Sequence, residues 1–131
     1  MILFDGDWMA KYMEVWNNAT EVSDALAEIN FTSTIGCGMP DEDNPRGILV
    51  VENGKAISGA PYEGQEMNWD LRAAEKHWLK WQDKGIGMAG LGMAVTTGKL
   101  KFRVGDYGAM IKNPKMAGPF VKSFGLMGQV K

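Results

Sequence analysis

The run Gly98-Lys99-Leu100-Lys101-Phe102-Arg103-Val104-Gly105-Asp106 constrains the chain most tightly. Apolar and basic residues alternate through it without a break. Leu100, Phe102 and Val104 fall on one side, and Lys99, Lys101 and Arg103 on the other. A period of two describes a β-strand with one buried and one wetted face. A small-residue segment with two methionines precedes it, and a Met- and Phe-rich segment follows. The strand therefore reads as the central wall of an apolar cluster or cavity, with its basic face left to solvent and without a catalytic role.

The chain around this strand is long enough for one domain with a core of its own. It has 131 residues, 45% apolar and 23% charged, which are ordinary globular values. The net charge of -2 argues against a nucleic-acid binder, whose affinity needs a basic stripe. A single cysteine, Cys37, forms no internal disulfide and fits a reducing compartment. The N-terminal run Met1–Asp7 does not read as a secretory signal, and no stretch approaches the ~18 apolar residues of a membrane span. A cytoplasmic protein is the expectation.

The order of elements follows from periodicity. Trp8, Tyr12, Val15, Trp16 and Ala19 form one apolar stripe, so a helix is expected over about Asp7–Ala19, capped by Asp5 or Asp7. A second helix, capped by Thr20, places Val22, Ala25, Leu26 and Ile29 inward. Phe31, Ser33, Ile35 and Cys37 share one face of a strand. Ile48–Val51 is a second strand, and Asn53-Gly54 after it is a strong hairpin signal, with a return strand over about Lys55–Gly59. Met67–Arg72 alternates again. With the opening strand these make five, and the short turns predict antiparallel pairing. Ala73–Gln82 predicts a helix ended by Gly85. The segment Gly87–Val95 predicts a close-packed short helix, and Asp106 caps another through Ile111. Pro114 interrupts that helix, and Met116–Met127 forms an amphipathic C-terminal one. The fold class is α+β in one domain, residues 1–131.

The residues show little chemistry. His77, the only histidine, sits in a charged helical run and reads as a surface residue. Cys37 reads as a small buried hydrophobe. No cysteine–histidine set suits a metal. Asp41-Glu42-Asp43-Asn44 fails as a calcium loop, because Pro45 occupies a ligand position and Arg46 the turn glycine. Gly85-Ile86-Gly87-Met88-Ala89-Gly90 has the spacing of a dinucleotide loop but follows no strand. Neither a cofactor nor a catalytic residue is expected. Ten methionines are present, and Met88, Met93, Met110, Met116 and Met127 gather with Phe102, Phe120 and Phe124 in the last third of the chain. Trp81 can join them. Such adaptable side chains either fill one another or line a cavity for apolar molecules.

The Gly-Lys-Leu-Lys run closing on Gly105-Asp106 resembles the corresponding strand of the sterol carrier protein type 2 domain family. The Asn53-Gly54-Lys55 turn, the Trp69–Ala73 strand with Trp78 in the helix after it, and the Met93-Ala94-Val95 approach to Gly98 fall where that family places them. The resemblance spans roughly residues 31–111. It implies a five-stranded, largely antiparallel sheet covered by helices, with a hydrophobic tunnel between the two layers. It further implies non-catalytic binding or transfer of a fatty acid, a fatty acyl-CoA or a sterol-like lipid. The tunnel lining it suggests is Trp81, Met88, Leu91, Met93, Phe102, Met110, Met116, Phe120, Phe124 and Met127. The continuation through Pro114 and Pro119, without a Ser-Lys-Leu ending, departs from better-known members. The alternative is an accessory subunit that docks on a larger partner enzyme through its C-terminal helix. An enzyme would need a polar constellation that the sequence does not display.

Overall fold

A computed structural model describes residues 1–131. The elements are α1 (Gly6–Asn18), α2 (Thr20–Glu28), β1 (Ser33–Gly38), β2 (Gly47–Glu52), β3 (Lys55–Pro61) and β4 (Trp69–Ala73). They continue with α3 (Glu75–Lys84), α4 (Met88–Thr96), β5 (Leu100–Val104), α5 (Tyr107–Ile111) and α6 (Pro114–Met127). The five strands form one sheet in the order β3-β2-β1-β4-β5. The pairs β1–β2, β2–β3 and β4–β5 are antiparallel, and β1–β4 is parallel. The sheet is thus largely antiparallel and covered by helices. The parallel pair departs from the expectation drawn from short turns. The chain leaves β3 at one edge and passes β2 and β1 before β4 begins.

Local signals account for most element ends. Asp5 caps α1, its carboxylate accepting from Trp8 N at 2.8 Å. Thr20, expected as the cap of α2, is instead its first residue, and Ala19 precedes it without a side-chain cap. Asn53 and Gly54 take positive φ of 49° and 84°, the primed-turn geometry of a tight hairpin. Pro114 starts α6, where its missing N–H leaves no helical bond unmade.

The strand expected at the centre of the sheet lies at its edge. Leu100 is buried and Phe102 half-buried on the helix side, opposite Ala73 and Leu71. Val104 does not follow them and is 40% exposed. The register shifts between Asp70 and Leu71, so Phe102 pairs with Leu71 while Val104 pairs with Asp70. This bulge inserts one extra residue, Arg103, and turns Val104 to the opposite face.

The helices cover one face of the sheet. Phe4, Trp8, Tyr12 and Trp16 form a ladder of ring contacts at 4.9–6.0 Å along α1. The backbone of α1 approaches β3 so closely that a Cβ on Gly59 would fall within 2.2 Å of Met9 O. Asn17 fixes the approach from its end. Its amide donates to Ala56 O and accepts from Ala56 N, both at 2.8 Å. Trp78, fully buried, stacks against Phe124 at 5.9 Å and donates its indole N–H to Gly38 O at 3.0 Å.

Over β1 and β4 the other face is covered by the loop that follows β1, and it holds an ion pair. Arg72, 1% exposed, meets Asp70, 4% exposed, at 2.7 Å. Its guanidinium also donates to Met39 O at 3.1 Å, Glu42 O at 2.7 Å and Asp43 O at 3.4 Å. Arg103 donates to Glu42 O, Asp43 O and Pro40 O. The acidic loop 41–43 is therefore tied to the sheet through its carbonyls, and the Glu42 carboxylate pairs with Arg46 at 2.8 Å.

Candidate functional site

The odd-numbered residues of β1 point to the helix side, as their alternation requires. Ile35 and Cys37 there join Leu49 of β2 and Trp69 and Leu71 of β4 to form a floor. Tyr12 and Trp16 of α1, Leu26 of α2 and Phe31 close one side. Met110 of α5 and Met116, Phe120, Ser123, Phe124 and Met127 of α6 form the roof. Fourteen of the 15 lining residues are hydrophobic. Phe31, Ile35, Trp69, Met116 and Phe120 are only half-buried and mark the mouth.

The free volume is about 30 Å³. That holds about one water molecule, far below the ~300 Å³ at which pockets for drug-sized molecules begin. An open tunnel is therefore not what the chain displays in this state. The rings and thioethers of the roof occupy the space. Phe120 lies 5.3 Å from Phe124 and 5.9 Å from Phe102, centroid to centroid.

The polar groups inside are few and neutral. Tyr12 donates its hydroxyl to Ser123 O at 3.2 Å, and Ser123 donates its own to Phe120 O at 2.6 Å. Burial, with a smaller contribution from neighbouring Cys37, pushes the Tyr12 phenol far above its usual range. Burial, assisted by the Asp70 carboxylate, pushes the Cys37 thiol up to about 12. Neither group carries charge near neutral pH, so the pocket interior is uncharged.

Of the residues expected to line a tunnel, Met110, Met116, Phe120, Phe124 and Met127 come together here. Phe102 packs beside them, against Trp69, Tyr107 and Phe120, but outside the lining. Trp81 is buried against Trp78 and Phe124. Leu91 is fully buried in the core. Met88 and Met93 do not belong to the pocket, being 45% and 63% exposed. The helix α4 carries small residues all round, and it turns Leu91 and Ala94 inward and both methionines outward. The N-terminal contributors, Tyr12, Trp16, Leu26 and Phe31, escaped the sequence reading. Their positions on apolar stripes marked them as core but could not say which core residues border a void.

A second, wetter groove adjoins the first. It has a free volume of about 350 Å³ and is lined by Ser33, Asn68, Trp69, Gly105, Asp106, Ala109, Met110, Asn113 and Met116. It shares Trp69, Met110 and Met116 with the apolar pocket. No group of three or more His, Cys, Asp or Glu side chains gathers as a metal site would require. His77 stacks on Trp81 at 6.0 Å, outside both cavities. No helix is long and apolar enough to cross a membrane.

The chain matches no protein-family model and no curated protein. Its fold does match solved structures. A crystal structure of sterol carrier protein 2 superposes with a TM-score of 0.77 at 15% identity, covering 99% of this chain and 100% of that one. A conserved hypothetical protein from Thermus thermophilus, described as a candidate sterol carrier protein, gives 0.68 at 17% identity over 97% of this chain and 90% of its own. A UbiJ-SCP2 ubiquinone synthesis protein gives 0.60 at 12% identity over 91% and 86%. The chain has the sterol carrier protein 2 fold.

Proposed function

We propose that this chain, built on the sterol carrier protein 2 fold, binds or carries a lipid or other apolar small molecule without transforming it. The observation that carries the reading is the lining, in which 14 of 15 side chains are hydrophobic, placed between the sheet and the helical layer. Burial of each CH₂ there stabilises by about 0.8 kcal/mol. The scarcity of polar partners inside favours an apolar body over a polar one. Because Phe120, Met116 and Met110 fill the space, entry requires the roof to move. The three neighbours of this fold, two of them described as sterol carriers or candidates, lend support of a general kind. The packing of α6 gives no support to docking on a partner enzyme. It buries Phe124, Leu126 and Met127 inside this chain.

The test is uptake of the neutral solvatochromic dye Nile red, together with native mass spectrometry of protein purified from cells. Saturable uptake near one equivalent, or a co-purifying apolar adduct, is the expected result. A clean unliganded mass with no saturable dye signal would sink the reading.

A further inference from the structure

We infer that the site selects amphiphiles with an uncharged, hydrogen-bonding head, such as an alcohol, over those ending in a carboxylate or phosphate. The inference rests on the apolar-ligand reading above and adds the chemistry of the head. The juxtaposition of the two cavities carries it. The apolar pocket and the wetter groove meet across Trp69, Met110 and Met116. A chain lying in the first therefore presents its end to the second, once those side chains yield.

The groove offers hydrogen bonds without positive charge. No Lys, Arg or His lines it. The Ser33 hydroxyl accepts from the Trp69 indole at 3.3 Å, which leaves its proton to donate. Asn68 spends its carbonyl oxygen on Thr34 N at 2.8 Å, which leaves its amide N–H₂. Asn113 precedes α6 without capping it, so its amide is unspent. Asp106 accepts from Ala109 N at 3.0 Å through Oδ1, and its other oxygen remains. A hydroxyl head can donate to Asp106 and accept from Asn68, Ser33 or Asn113. A carboxylate head can use only the donors and must lie beside the Asp106 carboxylate. Like charges a few ångströms apart repel by about 1 kcal/mol even at water's dielectric constant. The exposed Lys112 and Lys115 flank Asn113 in the chain, but neither lines the groove.

The inference is tested by displacing bound Nile red with 1-hexadecanol and with palmitate at pH 8, each kept below the concentration at which it aggregates. The alcohol should displace the dye at concentrations about fivefold or more below the acid. Asp106→Asn keeps a good helix cap, so the fold should persist. In that variant the gap should shrink to within about twofold, with palmitate binding tighter and the alcohol losing some affinity, because an Asn that keeps the cap through Oδ1 presents an N–H₂ donor where the free carboxylate oxygen stood. A salt titration of the unmodified protein gives a second measurement, because screening should narrow the same gap. Equal displacement by the two, a preference for palmitate (which would put Lys112 or Lys115 over the mouth), or a gap that ignores both Asp106→Asn and salt would overturn the inference. Absence of dye uptake would instead overturn the apolar-ligand reading itself.

Discussion

Phe120→Ala distinguishes a movable plug from ordinary packing. The ring is half-buried at the mouth of the pocket, held by Phe102 and Phe124. Truncating a fully buried phenylalanine costs about 3–5 kcal/mol. With about half of that burial, the expected loss is roughly 1.5–2.5 kcal/mol. A ligand that enters the unmodified protein must push this ring out and forgo the same burial. In the variant that opposition is gone, so affinity for Nile red should rise by about tenfold, the equivalent of ~1.4 kcal/mol, and uptake should be faster. Leu91→Ala is the control. Leu91 is fully buried but lines neither cavity, so its truncation should cost about 2–5 kcal/mol and leave dye affinity alone. Urea unfolding gives the stabilities, and dye titration with stopped-flow mixing gives affinity and rate. If Phe120→Ala loses stability as expected while dye affinity and rate stay unchanged, the ring is packing and the entry route lies elsewhere.

Two further predictions concern the framework. Arg72→Met should cost about 3–5 kcal/mol in urea unfolding, because it leaves the buried Asp70 without its cation and Met39 O without a donor, while Glu42 O and Asp43 O keep only Arg103. The double variant Asp70→Leu/Arg72→Met should lose less than the single one, and a single variant within about 1 kcal/mol of the parent would contradict the pinned loop. Alkaline stability should fall from about pH 9. The unfolded Cys37 thiol ionises near 9.0 while the folded one holds its proton to about 12, so deprotonation favours unfolding throughout that window. A separation of this kind is on the order of 4 kcal/mol once complete, and Tyr12 adds to it in the same direction. Unfolding at pH 8, 9 and 10 should show Cys37→Ala to be nearly flat where the parent declines. A parent that is equally flat, or a thiolate absorbance appearing near pH 9 in folded protein, would refute the burial argument.

The sequence made the elements legible because each has a local cause. Alternation set the strands, Asn53-Gly54 set the hairpin, and Asp5 and Asp106 set two caps. What it hid was long-range. The edge position of β5 depends on where β4 docks, and no pattern within Gly98–Asp106 records that. The bulge at Arg103 sits inside a perfect alternation and breaks it in space only. Arg72 reads as the polar half of an alternating strand, yet it is among the most buried side chains, because the loop at 39–43 folds over it. Asn17 lies near the end of the first expected helix and off its apolar stripe, yet it clips α1 to β3. Met88 and Met93 were indistinguishable by composition from Met110 and Met116. Only the orientation of α4 separates the exposed pair from those at the pocket.

The two walls of the pocket differ in how readily they yield, and that difference decides what the filled cavity means. The sheet wall is fixed from behind, since Asp70, Arg72 and the loop they hold close the opposite face of β4. The roof is less tightly built. The helix α5 is a five-residue turn, and Pro119 lies within α6, where it removes one backbone hydrogen bond. Met110, Met116 and Phe120, which hang from this roof, include the flexible thioethers and one half-exposed ring. Moving three such side chains away from burial forgoes roughly 2 kcal/mol each. About eight methylenes of ligand, at ~0.8 kcal/mol apiece, offset that loss before any net gain begins. On the proposed reading, the small free volume of about 30 Å³ reflects a roof that occupies the site, and chains shorter than about eight methylenes should fail to open it.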